Sequence, residues 1–330
     1  MIFIKKHTER SGEQRLSESV VLCDFQDIRG DHMAVFIQQI INGLAQGGIY
    51  ALIAIGWTTV FGIVGIMNWT HGEVYMIGAY VGYFLTGFAG LNYIPALLIS
   101  MVSGAVVAML IDQIGYVPLR KKGVLPKSGF ITALGISTFL RYSSNAAFTA
   151  DPKVYPDLLE YKLITLFRLG DNTITISSVH FMILIGTVII MTVLQLFFTK
   201  TITGKAMLAA SQDMETLSLM GAEAEVLIKV TFAISGALGA AAGFFMGSLY
   251  TVFPTMGALA GLKGWACAIL GGIGSITGSL VGGLLIGIAE NLTSGFLSTG
   301  YKDAVSFIIM ILVLLIRPTG LMGFKFEEKV

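Results

Sequence analysis

Residues 36–62 read FIQQIINGLAQGGIYALIAIGWTTVFG, a run of 27 residues without a charged side chain. An α-helix needs about 20 mostly apolar residues to cross the roughly 30 Å hydrocarbon core of a bilayer. The run is long enough to do so, and a polar stretch, NWTHGE at residues 68–73, follows it closely. The sequence here predicts a membrane-spanning helix whose glycines, at 56, 62 and 65, allow it to unwind before the polar stretch.

The composition of the whole chain also favours lipid as its main solvent. Of its 330 residues, 55% are hydrophobic and only 12% are charged, whereas a soluble globular protein has about 25% charged residues. The Lys and Arg residues are too few and too dispersed to form a basic face for nucleic acid. The two cysteines, Cys23 and Cys267, lie in dissimilar surroundings and indicate neither a disulfide framework nor a zinc site.

Further apolar stretches extend this pattern to the C-terminus. The predicted spans are 36–62, 72–88, 94–117, 130–148, 180–198, 226–250, 257–273, 276–292 and 304–316. The two short, glycine-rich stretches after Pro254 are typical of half-helices or a re-entrant pair. The predicted fold is an all-α integral membrane protein, a polytopic bundle of about eight or nine transmembrane helices with short re-entrant or half-helix pieces.

Residues 1–32 differ from the rest of the chain. They hold 11 of the 41 charged residues and have no apolar core of the kind that a signal peptide needs. We interpret them as a polar N-terminal tail, either disordered or upstream of a natural start at Met33. Residues 33–330 are predicted to form one transmembrane domain.

Cationic residues indicate how the chain is oriented, because short cytoplasmic loops are enriched in Lys and Arg. The cationic segments are 120–127, 200–229 and 317–329, whereas residues 149–179 carry charges of both signs. Placing the cationic segments in the cytoplasm and the mixed loop outside gives a consistent alternation, with the C-terminus inside. The side of the N-terminus stays open.

Glycines repeat every fourth residue in two spans, at Gly239 and Gly243 and at Gly274, Gly278 and Gly282. Such stripes of small residues allow two helix backbones to approach closely in a membrane. The tract GGIGSITG around the second stripe lacks the βαβ setting and the GKS or GKT ending of a phosphate-binding loop. We therefore predict helix packing at these glycines and no nucleotide site.

Asn68, His71, Gly72 and Glu73 lie within six positions of one another. One interpretation is an ordinary turn at the membrane interface, with Trp69 in the aromatic belt. Another is a break in the helix whose polar groups line a pathway, because unwound backbone at membrane depth must be buried in protein or face water. A metal or catalytic site is the weakest interpretation, since there is no HExxH motif and the chain has only four histidines.

Three other ionisable residues lie within or beside the predicted spans. Asp112 and Glu290 are close to the ends of their spans and are expected at the interface. Arg141 is deeper, and three explanations stay open for it: snorkelling to the surface, pairing with a carboxylate of a neighbouring helix, or lining a pathway.

The loop at about 199–227 contains a run of good helix formers at 206–220, with methionines near helical spacing. The run predicts one short amphipathic helix that ends at Gly221. It could lie on the inner leaflet of the membrane. Its acidic residues, Asp213 and Glu215, favour a protein partner instead.

Four stretches resemble the bacterial branched-chain amino acid ABC importer permeases, in the order and spacing of the H-type subunit of the LIV system. The stretches are NGLAQGGIYALIAIGWTTVFGIVGIMNWTHGEVYMIGAY, GKAMLAASQDMETLSLMG, AILGGIGSITGSLVGGLLIGIAE and YKDAVSFIIMILVLLIRPTGLMG. The resemblance covers the chain from Met33 onward. At the MNxxHGE segment this chain has Trp69 and Thr70 where the family usually has Phe or Leu and Ala or Ser, a departure that leaves the other motif residues in place.

The resemblance implies a complex in the bacterial inner membrane. Its other members are a second homologous permease, two cytoplasmic ABC ATPases and a periplasmic substrate-binding protein. By the same resemblance, the loop around Gly204, Lys205, Ala210, Asp213 and Gly221 is the coupling element that contacts an ATPase. The chain itself has no Walker motif. We therefore expect no catalytic residue, metal or cofactor in this chain, with ATP and Mg bound by the partner subunits.

The implied function is the import of Leu, Ile and Val by a subunit that has no activity alone. Related permeases carry urea, short amides or other amino acids, so these substrates are alternatives. A self-sufficient secondary transporter or channel is an alternative of another class, and it would need intramembrane carboxylates such as Glu73, Asp112 or Glu290. An intramembrane enzyme with His71 and Glu73 as an acid–base pair is a third, although no nucleophile accompanies them.

Overall fold

The computed structural model describes residues 2–156, 162–169 and 172–323. Twelve α-helices and one two-stranded hairpin make up this part of the chain. The helices are α1 Ile2–Val64, α2 His71–Gly87, α3 Tyr93–Ile111, α4 Val117–Lys121, α5 Leu125–Phe148, α6 Ser178–Lys200, α7 Ile202–Ala210, α8 Met214–Leu219, α9 Ala224–Leu249, α10 Met256–Gly271, α11 Ile276–Phe296 and α12 Lys302–Ile316. The strands are β1 Leu163–Leu169 and β2 Asn172–Ser177.

Each predicted span coincides with one of nine helices: α1, α2, α3, α5, α6, α9, α10, α11 and α12. In the part of the chain that the structure describes, six helical segments are long and apolar enough to cross a membrane, among them His32–Val64 of α1. Two mostly buried helices of the nine, α2 and α10, have only 17 and 16 residues. The predicted all-α membrane bundle is confirmed. Of the two stretches after Pro254, α10 is a short apolar helix, whereas α11 has 21 residues and is long enough to cross a membrane. The division into a tail at 1–32 and a domain at 33–330 stays a prediction.

The centre of the bundle is an antiparallel pair formed by α1 and α11. A Cβ atom added to Gly43 would lie 2.7 Å from Ile288 Cα, and one added to Gly47 would lie 2.8 Å from Leu284 Cα. The backbones can approach this closely only because glycine has no side chain. Hydrophobic sequence alone predicts both helices but not that they pair with each other.

Most of the predicted packing glycines also lie at close backbone contacts. A Cβ on Gly243 would overlap Tyr75 O of α2, and one on Gly239 would lie 2.9 Å from His71 Cε1. Cβ atoms on Gly278 and Gly282 would overlap the carbonyls of Gly271 and Cys267 in α10.

The prediction that Gly274 packs two helices together is wrong. This residue lies in the turn between α10 and α11 at φ +91°, and a Cβ added to it would meet nothing within 4 Å. Its spacing matches the helical stripe, but the helix begins only at Ile276. A positive φ is readily adopted by glycine, so the turn and not packing accounts for this residue.

The bundle has two chemically distinct ends. The cationic end carries α4, α7 and α8, and Gly62 of α1 lies beside Ser211 and Gly274 there. The hairpin end carries β1 and β2, which pair antiparallel, and the Gln38 side chain of α1 donates to Thr175 O at 2.7 Å. The hairpin falls in the loop of mixed charge and is not predicted by the sequence.

Residues 149–156 fold back onto the hairpin end. Lys153 and Val252 exchange backbone hydrogen bonds of 2.8 Å, and Tyr155 donates its hydroxyl to Ala79 O at 2.7 Å. Burial raises the pKa of Tyr155 well above its ordinary value, so the hydroxyl keeps its proton and remains a donor. These contacts tie the loop to α2 and to the α9–α10 connection.

Candidate functional site at the break between α1 and α2

The chain leaves helical geometry between α1 and α2. The first helix ends at Val64, Gly65 has φ +73°, and α2 begins at His71. His71 contacts Gly56 of α1 and Ser235 and Gly239 of α9. Because Ser235 lies eleven residues into α9, about 16 Å along its axis, α2 begins well inside the bundle.

The polar groups of this break are buried. Asn68 is 3% exposed, and His71 and Glu73 are 1% exposed. The Asn68 side-chain oxygen accepts hydrogen bonds from the hydroxyls of Thr70 and Tyr116. Gly72 packs backbone to backbone against Gly257 at the start of α10, so the first turns of two short helices meet here.

His71 is held by neighbours on α1 and α9. Its Nδ1 lies 3.2 Å from Ser235 Oγ, and its ring meets the Trp57 ring edge to face with centroids 6.1 Å apart. The other ring nitrogen, Nε2, is buried and lies against α1 beside Gly56. The imidazole is therefore enclosed by α1 and α9.

Glu73 forms an ion pair with Arg141 of α5. Its Oε1 accepts from Arg141 Nη2 at 2.6 Å, from Arg141 Nε at 3.1 Å and from Ser137 Oγ at 3.0 Å. Its Oε2 is buried without a partner among the described residues. Of the three explanations left open for Arg141, pairing with a carboxylate of a neighbouring helix is the one observed.

The Arg141 side chain is not fully enclosed. It is 28% exposed, whereas Glu73 is 1% exposed. Phe130, Ser137 and Arg141 are spaced seven and four residues apart, which places them on one face of α5. That face turns toward the start of α2.

Aromatic rings border the same region. The three tryptophans of the chain lie together, with centroids 6.0 Å apart for Trp57 and Trp69 and 6.5 Å apart for Trp69 and Trp265. Phe130 of α5 meets Trp69 at 6.1 Å. The break is therefore bordered by both an ion pair and aromatic surface.

A second buried ion cluster lies nearer the hairpin end. Lys263 of α10 is 2.7 Å from Glu290 Oε1 and 2.6 Å from Asp303 Oδ1. Glu290 Oε2 accepts from the Tyr50 hydroxyl at 2.7 Å and from Gln46 Nε2 at 3.1 Å. Unlike Glu73, Glu290 has hydrogen-bond partners at both carboxylate oxygens.

The expectation of an interfacial Glu290 at the end of its span is wrong. The helix α11 continues six residues further, to Phe296, and the Glu290 side chain is 1% exposed. Lys263 is not among the residues predicted from the sequence, although it is a lone cation inside the predicted span 257–273. A charged residue inside a membrane span needs a partner. This requirement could have indicated that Lys263 pairs with Glu290.

Asp112 lies near the end of the third predicted span, as expected, but it does not reach the surface. Its side chain is fully buried and accepts from Arg120 Nη1 at 2.6 Å. Five residues from Asp112 to Tyr116 form a π-helical turn between α3 and α4. The carboxylate is thus satisfied by a protein cation and not by lipid headgroups.

The predicted single helix at 206–220 is wrong, because two short helices, α7 and α8, occupy the loop. Asp213 separates them: its Oδ1 accepts from Thr216 N at 2.9 Å, which caps the start of α8. Aspartate is favoured at this capping position over a helix interior.

The other loop residues singled out by the sequence have distinct surroundings. Gly204 packs against the backbone of Phe197 and Phe198, and Ala210 is buried. Lys205 is exposed. Gly221 has φ +91° two residues after α8 ends, which suits a glycine at a helix terminus. Three large apolar side chains are exposed here, with fractions of 89% for Ile202, 86% for Leu219 and 79% for Met220.

Metal ligands do not assemble in the described residues, where no three His, Cys, Asp or Glu side chains come together in a group that could hold an ion. The chemistry that the site offers consists of hydrogen bonding, one incompletely satisfied ion pair and aromatic contact.

Comparison with known proteins places this architecture in a family. Residues 39–314 match the family model described as branched-chain amino acid transport system / permease component. The chain is 38% identical to the high-affinity branched-chain amino acid transport system permease protein BraD of Pseudomonas aeruginosa, over 89% of this chain and 98% of BraD. It is also 38% identical to the corresponding permease protein LivH of Salmonella typhimurium and of Escherichia coli K12, with the same coverage. The chain therefore belongs to the family of permease components of branched-chain amino acid transport systems.

Proposed function

We propose that this protein is the transmembrane subunit of an ATP-driven importer for branched-chain amino acids. The observation that carries the proposal is the 38% identity to BraD and LivH along 98% of their length, since both are named as high-affinity branched-chain amino acid permeases. The family model matches residues 39–314, a range that covers the break between α1 and α2 and the loop with α7 and α8.

The route of the substrate runs past the break between α1 and α2 in this proposal. A guanidinium at the depth of Arg141 is unfavourable toward lipid, by about 2.5–3.5 kcal/mol on insertion scales. Its 28% exposure therefore supports a face that meets water or another subunit. Asn68, His71, Gly72 and Glu73 shape this route, and the unpartnered oxygen of Glu73 supports a role beyond packing.

The complex is proposed to contain a second homologous permease, two cytoplasmic ABC ATPases and a periplasmic binding protein. ATP and Mg are bound by the ATPases, and this chain performs no catalysis. The exposed apolar side chains of Ile202, Leu219 and Met220 support docking of a protein at the cationic end. We assign this contact to the coupling loop around Gly204, Lys205, Ala210, Asp213 and Gly221.

The protein is proposed to lie in the bacterial inner membrane with its C-terminus in the cytoplasm. Arg120, Lys121 and Lys122 share one end of the bundle with the coupling loop, and short cytoplasmic loops are enriched in such cations. The hairpin end then faces the periplasm, where a binding protein delivers its ligand.

Uptake in cells tests the substrate class. The gene is deleted in its host, and uptake of labelled leucine at low external concentration is compared with that of the complemented strain. We expect the deletion to abolish high-affinity leucine uptake, and excess isoleucine and valine, but not urea or acetamide, to compete in the complemented strain. Unchanged leucine uptake, or competition by urea or acetamide alone, would contradict the proposal.

A further inference from the structure

Three charged side chains meet at the cationic end, away from the Glu73–Arg141 pair. Arg120 of α4 donates to Asp112 from Nη1 at 2.6 Å and from Nη2 at 3.2 Å. It also donates to Glu225 of α9 from Nη2 at 2.9 Å and from Nε at 3.2 Å. One planar guanidinium therefore holds two carboxylates with paired hydrogen bonds, which a lysine ammonium cannot reproduce.

The Asp112 side of this triad leads to the break between α1 and α2. Asp112 opens the π-helical turn, and Tyr116 closes it. Turns of this type are rare and often occur at functional sites. The Tyr116 side chain is fully buried, and its hydroxyl donates to Asn68 Oδ1 at 3.1 Å, inside the break.

The Glu225 side leads to the coupling loop. Glu225 is the second residue of α9 and follows the end of α8 at Leu219 by six positions. Met214, the first residue of α8, packs against the hydrophobic cluster that includes Tyr116 and Phe232. The loop thus has a polar and an apolar connection to the π-helical turn.

The π-helical turn is attached to α9 at two places. Arg120 ties it to Glu225, and the Tyr116 ring lies 5.4 Å from the Phe232 ring. Glu225 and Phe232 are seven residues apart and lie on the same face of α9. A displacement at the start of α9 would therefore carry the turn, and with it the Tyr116 hydroxyl, relative to Asn68.

We propose that Arg120 is a positioning residue that transmits displacement of the coupling loop to the break between α1 and α2. The inference rests on the proposed function, because it assumes that ATPases act on the coupling loop. In this arrangement, ATP-driven movement of α7 and α8 reaches Asn68 through Glu225, Arg120, the π-helical turn and Tyr116. Arg120 touches neither substrate nor nucleotide.

The test measures leucine transported per ATP hydrolysed by the complete complex in proteoliposomes. Removing Arg120 alone leaves the buried Asp112 carboxylate without its partner, so the main variant is R120Q combined with D112N. Y116F removes only the hydroxyl that contacts Asn68. K122Q changes an exposed cation two residues further along and is the control. R120K tests rescue by a cation that cannot hold both carboxylates.

We expect R120Q/D112N and Y116F to copurify with the ATPases and to hydrolyse ATP. The leucine transported per ATP should fall at least about fivefold below the wild-type value. R120K is expected to fall between them and wild type, and K122Q to match wild type. Combining Y116F with R120Q/D112N should add little further loss, because both act on one connection.

An unchanged transport-to-hydrolysis ratio in both variants would overturn the relay. Loss of ATPase copurification would also overturn it, by making Arg120 part of the docking surface. These outcomes differ from failure of the proposed function, in which the wild-type complex itself transports no leucine.

Discussion

Two buried glutamates show how the same residue type can have different roles in this membrane bundle. Glu290 has partners at both oxygens, from Lys263, Ser306, Tyr50 and Gln46. Glu73 uses one oxygen for Arg141 and Ser137 and leaves the other buried without a partner among the described residues. A saturated network fixes one arrangement of helices, whereas an incompletely satisfied group retains capacity for another partner.

At Glu73 we expect that a variant can recover protein abundance without recovering leucine transport. E73A leaves Arg141 unpaired at membrane depth, at a cost of about 2.5–3.5 kcal/mol, and should lower membrane abundance. E73Q combined with R141Q removes both charges and should restore abundance, measured by quantitative immunoblotting, but leave leucine uptake impaired. Uptake at the wild-type level in the double variant would show that the pair is structural only.

At Lys263 and Glu290, in contrast, we expect removal of both charges to preserve leucine uptake. K263A should destabilise the protein by about 3–5 kcal/mol, because it leaves a buried carboxylate without its cation. K263M combined with E290Q should recover the thermal stability of the detergent-solubilised protein and most leucine uptake. If that pair recovers stability but not uptake, the cluster has a functional role that its saturation does not indicate.

At the scale of elements, the sequence predicts the spans better than their partners. Apolar runs and glycine spacing predict eight or nine membrane helices, because each property is local to its own segment. The pairing of α1 with α11 depends on contacts between residues more than 200 positions apart, such as Gly43 and Ile288. The sequence likewise indicates the polar residues of the break but not that Arg141 is the partner of Glu73, since any of several helices could have supplied a cation.

The same substitution at two glycines tests the packing of α2 against α9. G243A adds a methyl group that overlaps Tyr75 O, and overpacking of this kind costs about 1–3 kcal/mol. G135A in α5 meets nothing within 4 Å and should be neutral or stabilising by about 0.4–1 kcal/mol. Thermal unfolding in detergent compares the two, and equal melting temperatures would contradict the close contact.

The coupling loop offers a second test at this scale. D213A removes the cap of α8, a loss typically of about 0.5–2 kcal/mol, and should reduce copurification of the ATPase with this chain. Q212A changes the neighbouring exposed residue and is the control. If D213A retains full copurification and transport-coupled ATP hydrolysis, the division into α7 and α8 does not matter for docking.

At the scale of the whole molecule, two features support the proposal that the chain acts as a subunit and not as a self-sufficient transporter. A partly exposed arginine borders the break between α1 and α2, and large apolar side chains are exposed on the coupling loop. In an isolated chain the arginine would face lipid and the apolar side chains would face water, and both are unfavourable. Composition and spacing predict the membrane fold, whereas the proposed partners rest on the family and not on any local pattern.

Leucine accumulation in proteoliposomes tests the central claim most directly. Vesicles contain either the purified chain alone or the complete set of second permease, ATPases and binding protein, with and without ATP on the ATPase side. We expect accumulation only with the complete set and ATP. Concentrative leucine uptake by the chain alone, driven by a Na⁺ or proton gradient, would contradict the account.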